Sequence, residues 1–197
     1  MKKAKMLSLT ACLVLAMAFT FSCSSDDGGG GNTCSANLKT TRIGSQTWMA
    51  ENLNCGVKGS KCYDDDPANC KKYGRLYDWA TAKTACPSGW HLPTDAEWTT
   101  LIDYAGGRSN AGKKLKARSG WDEGGNGTDD YGFSALPGGF GKSNGYFGSV
   151  GETGFWWSAS EDDSYDAYQW AMDYSDNSAH WDYDDKSLLL SVRCVQD

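Results

Sequence analysis

Histidine is nearly missing from this 197-residue chain, which has two, and proline is scarce, with four. Chemistry built on several imidazoles is therefore excluded, since only His91 and His180 could act as bases or metal ligands. No two cysteines stand in a C-x2-C pair and no histidine accompanies them, which disfavours zinc. Basic residues are also short, 19 Lys and Arg against 25 Asp and Glu, and they do not cluster. A nucleic-acid partner, whose phosphates need grouped Lys or Arg, is not expected. Beyond residue 21 long apolar runs are few, which speaks against a helical bundle.

What the chain does have is nine Trp, ten Tyr and 24 Gly. Aromatic rings bury large areas and glycine permits positive φ, so the composition favours short strands joined by long loops. From Cys34 to the end about 164 residues remain, enough for one domain with a real core.

The first residues read differently. Lys2, Lys3 and Lys5 precede an apolar run from Met6 to Phe21, the charge asymmetry and length of a secretory signal and short of a comfortable membrane span. Thr20-Phe21-Ser22-Cys23 resembles a bacterial lipobox, although Thr20 and Phe21 depart from its usual residues. The expected layout is a signal peptide over 1–22, a flexible acidic and glycine linker over 23–33, and the folded domain over 34–197. Cys23 would carry lipid and hold the chain on the outer membrane, since several acyl chains at one site anchor stably. The acidic residues after Cys23 resemble surface-export signals of Bacteroidetes-type lipoproteins, which implies an outward-facing domain. Loss of residues 1–22 removes three lysines and no acid, so 16 basic residues face 25 acidic ones, about −9 in net charge.

Six cysteines outlast the signal and the lipidated residue. An exported chain can keep them oxidised. Many pairings are open; the favoured set joins Cys62 to Cys70, Cys86 to Cys194, and Cys34 to Cys55.

Thr41 to Ala50 reads as a hairpin around Gly44-Ser45. Asp64, Asp65 and Asp66 suggest a solvated loop tip closed by the Cys62–Cys70 bridge. Leu76, Trp79, Ala80 and Lys83 are spaced as one helix face running to Ala85 and stopped by Cys86-Pro87. A second helix is better marked: Thr94 and Glu97 form a capping box, and Trp98, Leu101, Ile102 and Ala105 follow at helical spacing before Gly106-Gly107. The stretch from Gly106 to Gly154 is glycine-rich and expected to be long loops. Then Phe155–Ser158, Tyr168–Tyr174 and Leu188–Val195 read as three strands of an antiparallel terminal sheet, with His180 in a turn.

Several segments together resemble one known family, the Fibrobacter succinogenes major paralogous domain. They are Gly44 to Leu53, Tyr73 to Tyr77, Cys86 to Trp98, Gly132 to Gly139, Trp156-Trp157-Ser158 and Ser191 to Val195. The resemblance implies an α+β, C-type-lectin-like layout akin to formylglycine-generating enzymes: two helices, short antiparallel sheets and long glycine-rich loops, stapled by disulfides. The lectin calcium motif Glu-Pro-Asn is absent, and no cysteine lies between Cys86 and Cys194 to serve as a redox pair. Lectin-type sugar binding through calcium and oxidase activity are both disfavoured on those grounds.

The preferred functional reading is a lipid-anchored extracytoplasmic binding module whose long-loop face takes a polysaccharide or a surface protein. Its candidate ligand residues are Trp121, Tyr131, Tyr146, Tyr165, Trp181 and Tyr183, because ring faces stack on sugar C–H surfaces. A structural cell-surface protein without a small ligand is the alternative, and a formylglycine-generating-type oxidase the third reading. Asp162, Asp163 and Asp166 with Asp182, Asp184 and Asp185 are a candidate calcium site, the one cofactor entertained. His91 is expected to be hydrogen-bonded in the packed strand, and Glu97 to serve the helix cap.

Overall fold

The computed structural model describes residues 38–197, so the readings at Cys23 and Cys34 lie outside the described residues. β1 (Thr40–Ile43) and β2 (Gln46–Met49) form the expected hairpin. Gly44 takes φ +61 at its turn, where a Cβ would press on the Tyr104 ring at 3.0 Å. β3 (Ser60–Lys61) leads into the Cys62–Cys70 disulfide. Asp64, Asp65 and Asp66 are exposed on a tight turn inside that bridge, as expected, and α1 (Pro67–Tyr73) follows: Asp66 caps it by accepting from Ala68 N, and Pro67 suits its first turn.

The helix expected from Leu76 begins later. Leu76–Tyr77 are extended as β4, and α2 (Trp79–Ala85) starts only after Asp78, whose carboxylate accepts from Thr81 N. Extension at Tyr77 lets its hydroxyl meet Cys55 N at 2.8 Å and Cys55 O at 3.0 Å. β5 (Trp90–His91) precedes α3 (Asp95–Tyr104), which carries the complete Thr94–Glu97 capping box.

The glycine-rich stretch is not open loop. It forms α4 (Arg108–Leu115), β6 (Gly138–Gly141) and β7 (Phe147–Val150), and it sends Trp121, Phe133 and Ala135 into the core. Close approach explains some of its glycines: a Cβ on Gly112 would lie 2.0 Å from the Ser178 carbonyl, so α4 can pack on that turn only without a side chain there. β8 (Thr153–Glu161), β9 (Asp166–Asp173) and β10 (His180–Asp185) follow, the last placing His180 in a strand rather than a turn. The run expected as one final strand splits into β11 (Leu190–Ser191) and β12 (Val195–Gln196).

That split joins two sheets. β11 lies between β8 and β4 in an eight-stranded sheet whose main order is β10-β9-β8-β11-β4-β3, with β6 beside β8 and β7 beside β6. β12 lies between β2 and β5 in a four-stranded sheet. The β11–β8 pairing is parallel, so the terminal sheet is mixed rather than antiparallel throughout. The architecture is α+β as expected, with four α-helices among the described residues in place of two.

Two aromatic cores hold it. Trp48, Trp98, Phe133, Trp156 and Trp170 meet with centroid separations from 4.9 to 6.4 Å where α3 lies on the sheets. Each such ring contributes about 2–3 kcal/mol by leaving water. Tyr77, Trp79, Trp157, Leu190 and Val192 form the second core, beside the Cys86–Cys194 disulfide that spans 108 residues.

Between β11 and β12 the chain passes through Arg193, which has no exposed surface. Its guanidinium donates to Asn52 Oδ1 at 2.7 and 3.1 Å, to the Met49 carbonyl at 3.1 Å and to the Phe133 carbonyl, and lies 4.3 Å from the Phe133 ring centroid. Asn52 also accepts from Trp156 Nε1 at 2.8 Å and donates to the Tyr73 carbonyl at 2.8 Å. Burial pushes the Arg193 pKa down to about 9, against the pull of Glu51 and Asp129, so the group remains a cation at neutral pH. Arg193 thereby ties its own segment to those of Met49–Asn52 and Phe133, and Asn52 extends the network to Tyr73 and Trp156.

Candidate binding face

The register of β9 and β10 sets Trp181 opposite Trp170, Tyr183 opposite Tyr168, and Asp185 opposite Asp166. Directly opposed residues share a face, and strand alternation keeps every second residue on it. Three rows of paired side chains therefore run along one side of this hairpin: tryptophans, tyrosines, then aspartates.

α3 roofs only the first row, and there only Trp170. That indole stacks on Trp98 at 6.3 Å and donates to Asp95 Oδ1 at 2.9 Å. Beyond the roof the rings are open. Trp181 is 40% and Tyr183 50% exposed, while Tyr168 is half-buried with its centroid 5.5 Å from that of Trp181. The Arg108 guanidinium stands 5.7 Å from the Trp181 ring centroid. The Tyr168 hydroxyl hydrogen-bonds Asp162, and that bond with the nearby charge raises its pKa. At the far end Tyr165, 76% exposed, borders a shallow cleft of about 550 Å³ lined also by Asp185, Lys186 and Ser187.

The six expected ligand residues are thus divided. Trp181 and Tyr183 share the open face and Tyr165 lies at its margin. Tyr146, 56% exposed, belongs to the β6–β7 hairpin, where it packs on Phe140 at 6.0 Å with Lys142 Nζ 5.6 Å away. Tyr131 packs on the first core and on Tyr104 at 5.6 Å. Trp121 is a correction: at 4% exposure it is a core residue, its indole donating to the Ala135 carbonyl at 3.0 Å. Its glycine-rich surroundings suggested exposure, yet buried Lys116 reaches across its ring at 5.0 Å to donate to the Asp173 and Asp176 carbonyls. Burial lowers the Lys116 pKa. Tyr168 was legible as a strand residue, but its place on this face depends on the partner strand.

The six acidic residues do not converge. Asp163 is spent on its own turn, accepting from Tyr165 N at 2.7 Å and Asp166 N at 2.8 Å, bonds that hold its pKa down. Asp185 accepts from Ser187 N at 2.8 Å. Alternation sends Asp182 and Asp184 to the side opposite Asp166 and Asp185. Half-buried Asp184 has its pKa raised to about 6 by burial first, then by Asp182, Asp166 and Asp185. Among the described residues no group of three or more His, Cys, Asp or Glu side chains could hold a metal ion.

His91 lies elsewhere, clamped between Asp197 at 2.7 Å and Glu97 at 2.8 Å. Burial disfavours its charged form, but the two carboxylates outweigh that and raise its pKa. Glu97 also accepts from Thr94 N and Oγ1, so the pair fastens β5 and the chain end to the cap of α3.

A family model described as the Fibrobacter succinogenes major domain matches residues 41–196, and the chain belongs to that family. No curated protein and no solved structure matches it.

Proposed function

We propose that this Fibrobacter succinogenes major domain is a binding module that takes a glycan on the open face of the β9–β10 hairpin. The observation that carries this reading is the open pair Trp181 and Tyr183, with half-buried Tyr168 beside them, on one side of a strand pair whose remaining ring there, Trp170, is roofed by α3. A row on a sheet presents its rings side by side, and the faces of successive sugar rings stack on such a surface. Asp162 at the Tyr168 hydroxyl and Asp166 beside it supply acceptors for sugar hydroxyl groups. The lectin-like layout belongs to the same reading and draws support from the long Cys86–Cys194 closure.

The domain would work outside the cytoplasm. The motif at Cys23 supports a lipid anchor in the outer membrane. Disulfides at Cys62–Cys70 and Cys86–Cys194 accord with an oxidising location. A surface protein is the second candidate ligand, favoured by the open outer edge of β10.

Affinity electrophoresis of the full chain through gels containing individual polysaccharides tests the reading. Retardation by at least one glycan is expected, and it should vanish in Trp181→Ala and Tyr183→Ala. Retardation that survives both substitutions would move the site elsewhere.

A further inference from the structure

The open face carries charge as well as rings, and the two together select among glycans. Asp166 and Asp185 stand directly opposite each other on it, so two carboxylates share one side of the hairpin beside the rings. Asp162 sits at the Tyr168 hydroxyl, and Asp95 lies under Trp170. The lysine next in sequence does not neutralise this end: Lys186 pairs with Glu161 at 3.2 Å and donates to the Asp163 carbonyl at 2.5 Å. Arg108 stands over the ring of Trp181, at the other end of the row.

A face that needed only to stack neutral sugar would not require opposed carboxylates. An anionic polysaccharide would be repelled by them. A protonated amine is drawn to both components, since a carboxylate attracts it by charge and an aromatic face by its quadrupole. The place of Arg108 on Trp181 is that second attraction made by the protein's own cation.

Resting on the reading of this face as a glycan site, we infer that its ligand class is a cationic amino-sugar polymer, one whose free amines meet Asp166, Asp185 and Asp162 while its rings stack on Tyr168, Trp181 and Tyr183. Neutral glycans of the same backbone would stack without the charge contribution and bind more weakly.

The test titrates the full chain, in mildly acid buffer, with two oligomers of one length and linkage: hexameric glucosamine with all amines free, and its fully N-acetylated counterpart. At about 20 mM salt the free-amine oligomer is expected to bind about tenfold or more tighter, a preference that shrinks toward parity near 1 M salt as charges are screened. Asp166→Asn combined with Asp185→Asn should abolish the preference, bringing the two oligomers to parity at low salt. Asn at 185 keeps an oxygen to accept from Ser187 N, so loss of fold is not the expected result, and the near-ultraviolet circular dichroism of the variant checks it. Trp181→Ala should weaken both oligomers, and Tyr183→Ala repeats that test at a second exposed ring.

Equal binding of the two oligomers would overturn the inference and leave the glycan reading standing. A preference that persists in the double Asn variant would also overturn it. Failure of both oligomers, together with tight binding of a peptide alternating lysine and valine, would overturn both readings in favour of a basic strand added to the edge of β10.

Discussion

Arg193 and Asp184 are both charged groups drawn away from water, and the protein surrounds them in opposite ways. Arg193 is fully enclosed, but three acceptors from distant segments meet its donors and an aromatic ring lies against it. Asp184 is only half-buried, yet its neighbours are other carboxylates, which compound the cost of its burial. The difference teaches where this fold spends stability and where it forgoes it. The junction between the two sheets is held by satisfied polarity, whereas the outer hairpin keeps uncompensated negative charge beside uncovered rings. An edge strand of that kind also resists pairing with its own copies, because carboxylates would face carboxylates.

The contrast breaks most readily at Arg193. Arg193→Met should cost about 3–5 kcal/mol, since it takes this donor from the buried Met49 and Phe133 carbonyls and leaves Asn52 Oδ1 with Trp156 Nε1 alone; urea unfolding of the full chain measures it, and a cost below about 1 kcal/mol would refute the role given to this group. Next comes the bridge beside it. Replacing Cys86 and Cys194 together by Ser should cost about 2–4 kcal/mol in the same assay, because a closure spanning 108 residues restrains the unfolded chain strongly.

At the hairpin the sign reverses. The folded pKa of Asp184, about 6, lies above its ordinary 3.8, so the folded state holds this proton longer and stability falls as pH rises from 3.8 to 6, then stays level. Asp184→Asn should therefore stabilise the protein above pH 6 by about 1 kcal/mol, a figure reduced for partial exposure, with the gain disappearing below pH 3.8. Paired unfolding curves across that range decide it, and a substitution that destabilises at neutral pH would overturn the assignment. The smallest effect belongs to the ring row: Trp181→Ala should shift stability by less than about 0.5 kcal/mol while abolishing retention by a glycan, a separation that a buried structural tryptophan would not show.

Some of this was legible in the chain before any coordinates. The Thr94–Glu97 box, the hairpin at Gly44 and the pairs Cys62–Cys70 and Cys86–Cys194 are all present as expected. Cys55 is disulfide-bonded too, and its expected partner Cys34 lies outside the described residues. Elsewhere local pattern misled. Leu76 has helical spacing to Trp79, but Asp78 caps the helix and β4 takes the residues before it. Leu188 to Val195 alternates like one strand, yet it crosses from one sheet to the other, with the Val192 and Cys194 carbonyls accepting from Leu53 and Met49.

What the sequence determined by itself is whatever closes over a few residues or is limited by chemistry: the caps, tight turns, sulfur partners and an acidic, aromatic composition. Tertiary structure alone decided which rings were covered. Trp121, Trp170 and Trp181 are the same residue type in aromatic, polar surroundings, and nothing local distinguishes them. Exposure is fixed by what packs from far along the chain: the Ala135 segment over Trp121, α3 over Trp170, and no comparable roof over Trp181. Likewise two acidic clusters in sequence suggest one calcium site, but strand alternation sends Asp182 and Asp184 to one face of β10 and leaves Asp166 and Asp185 opposed on the other.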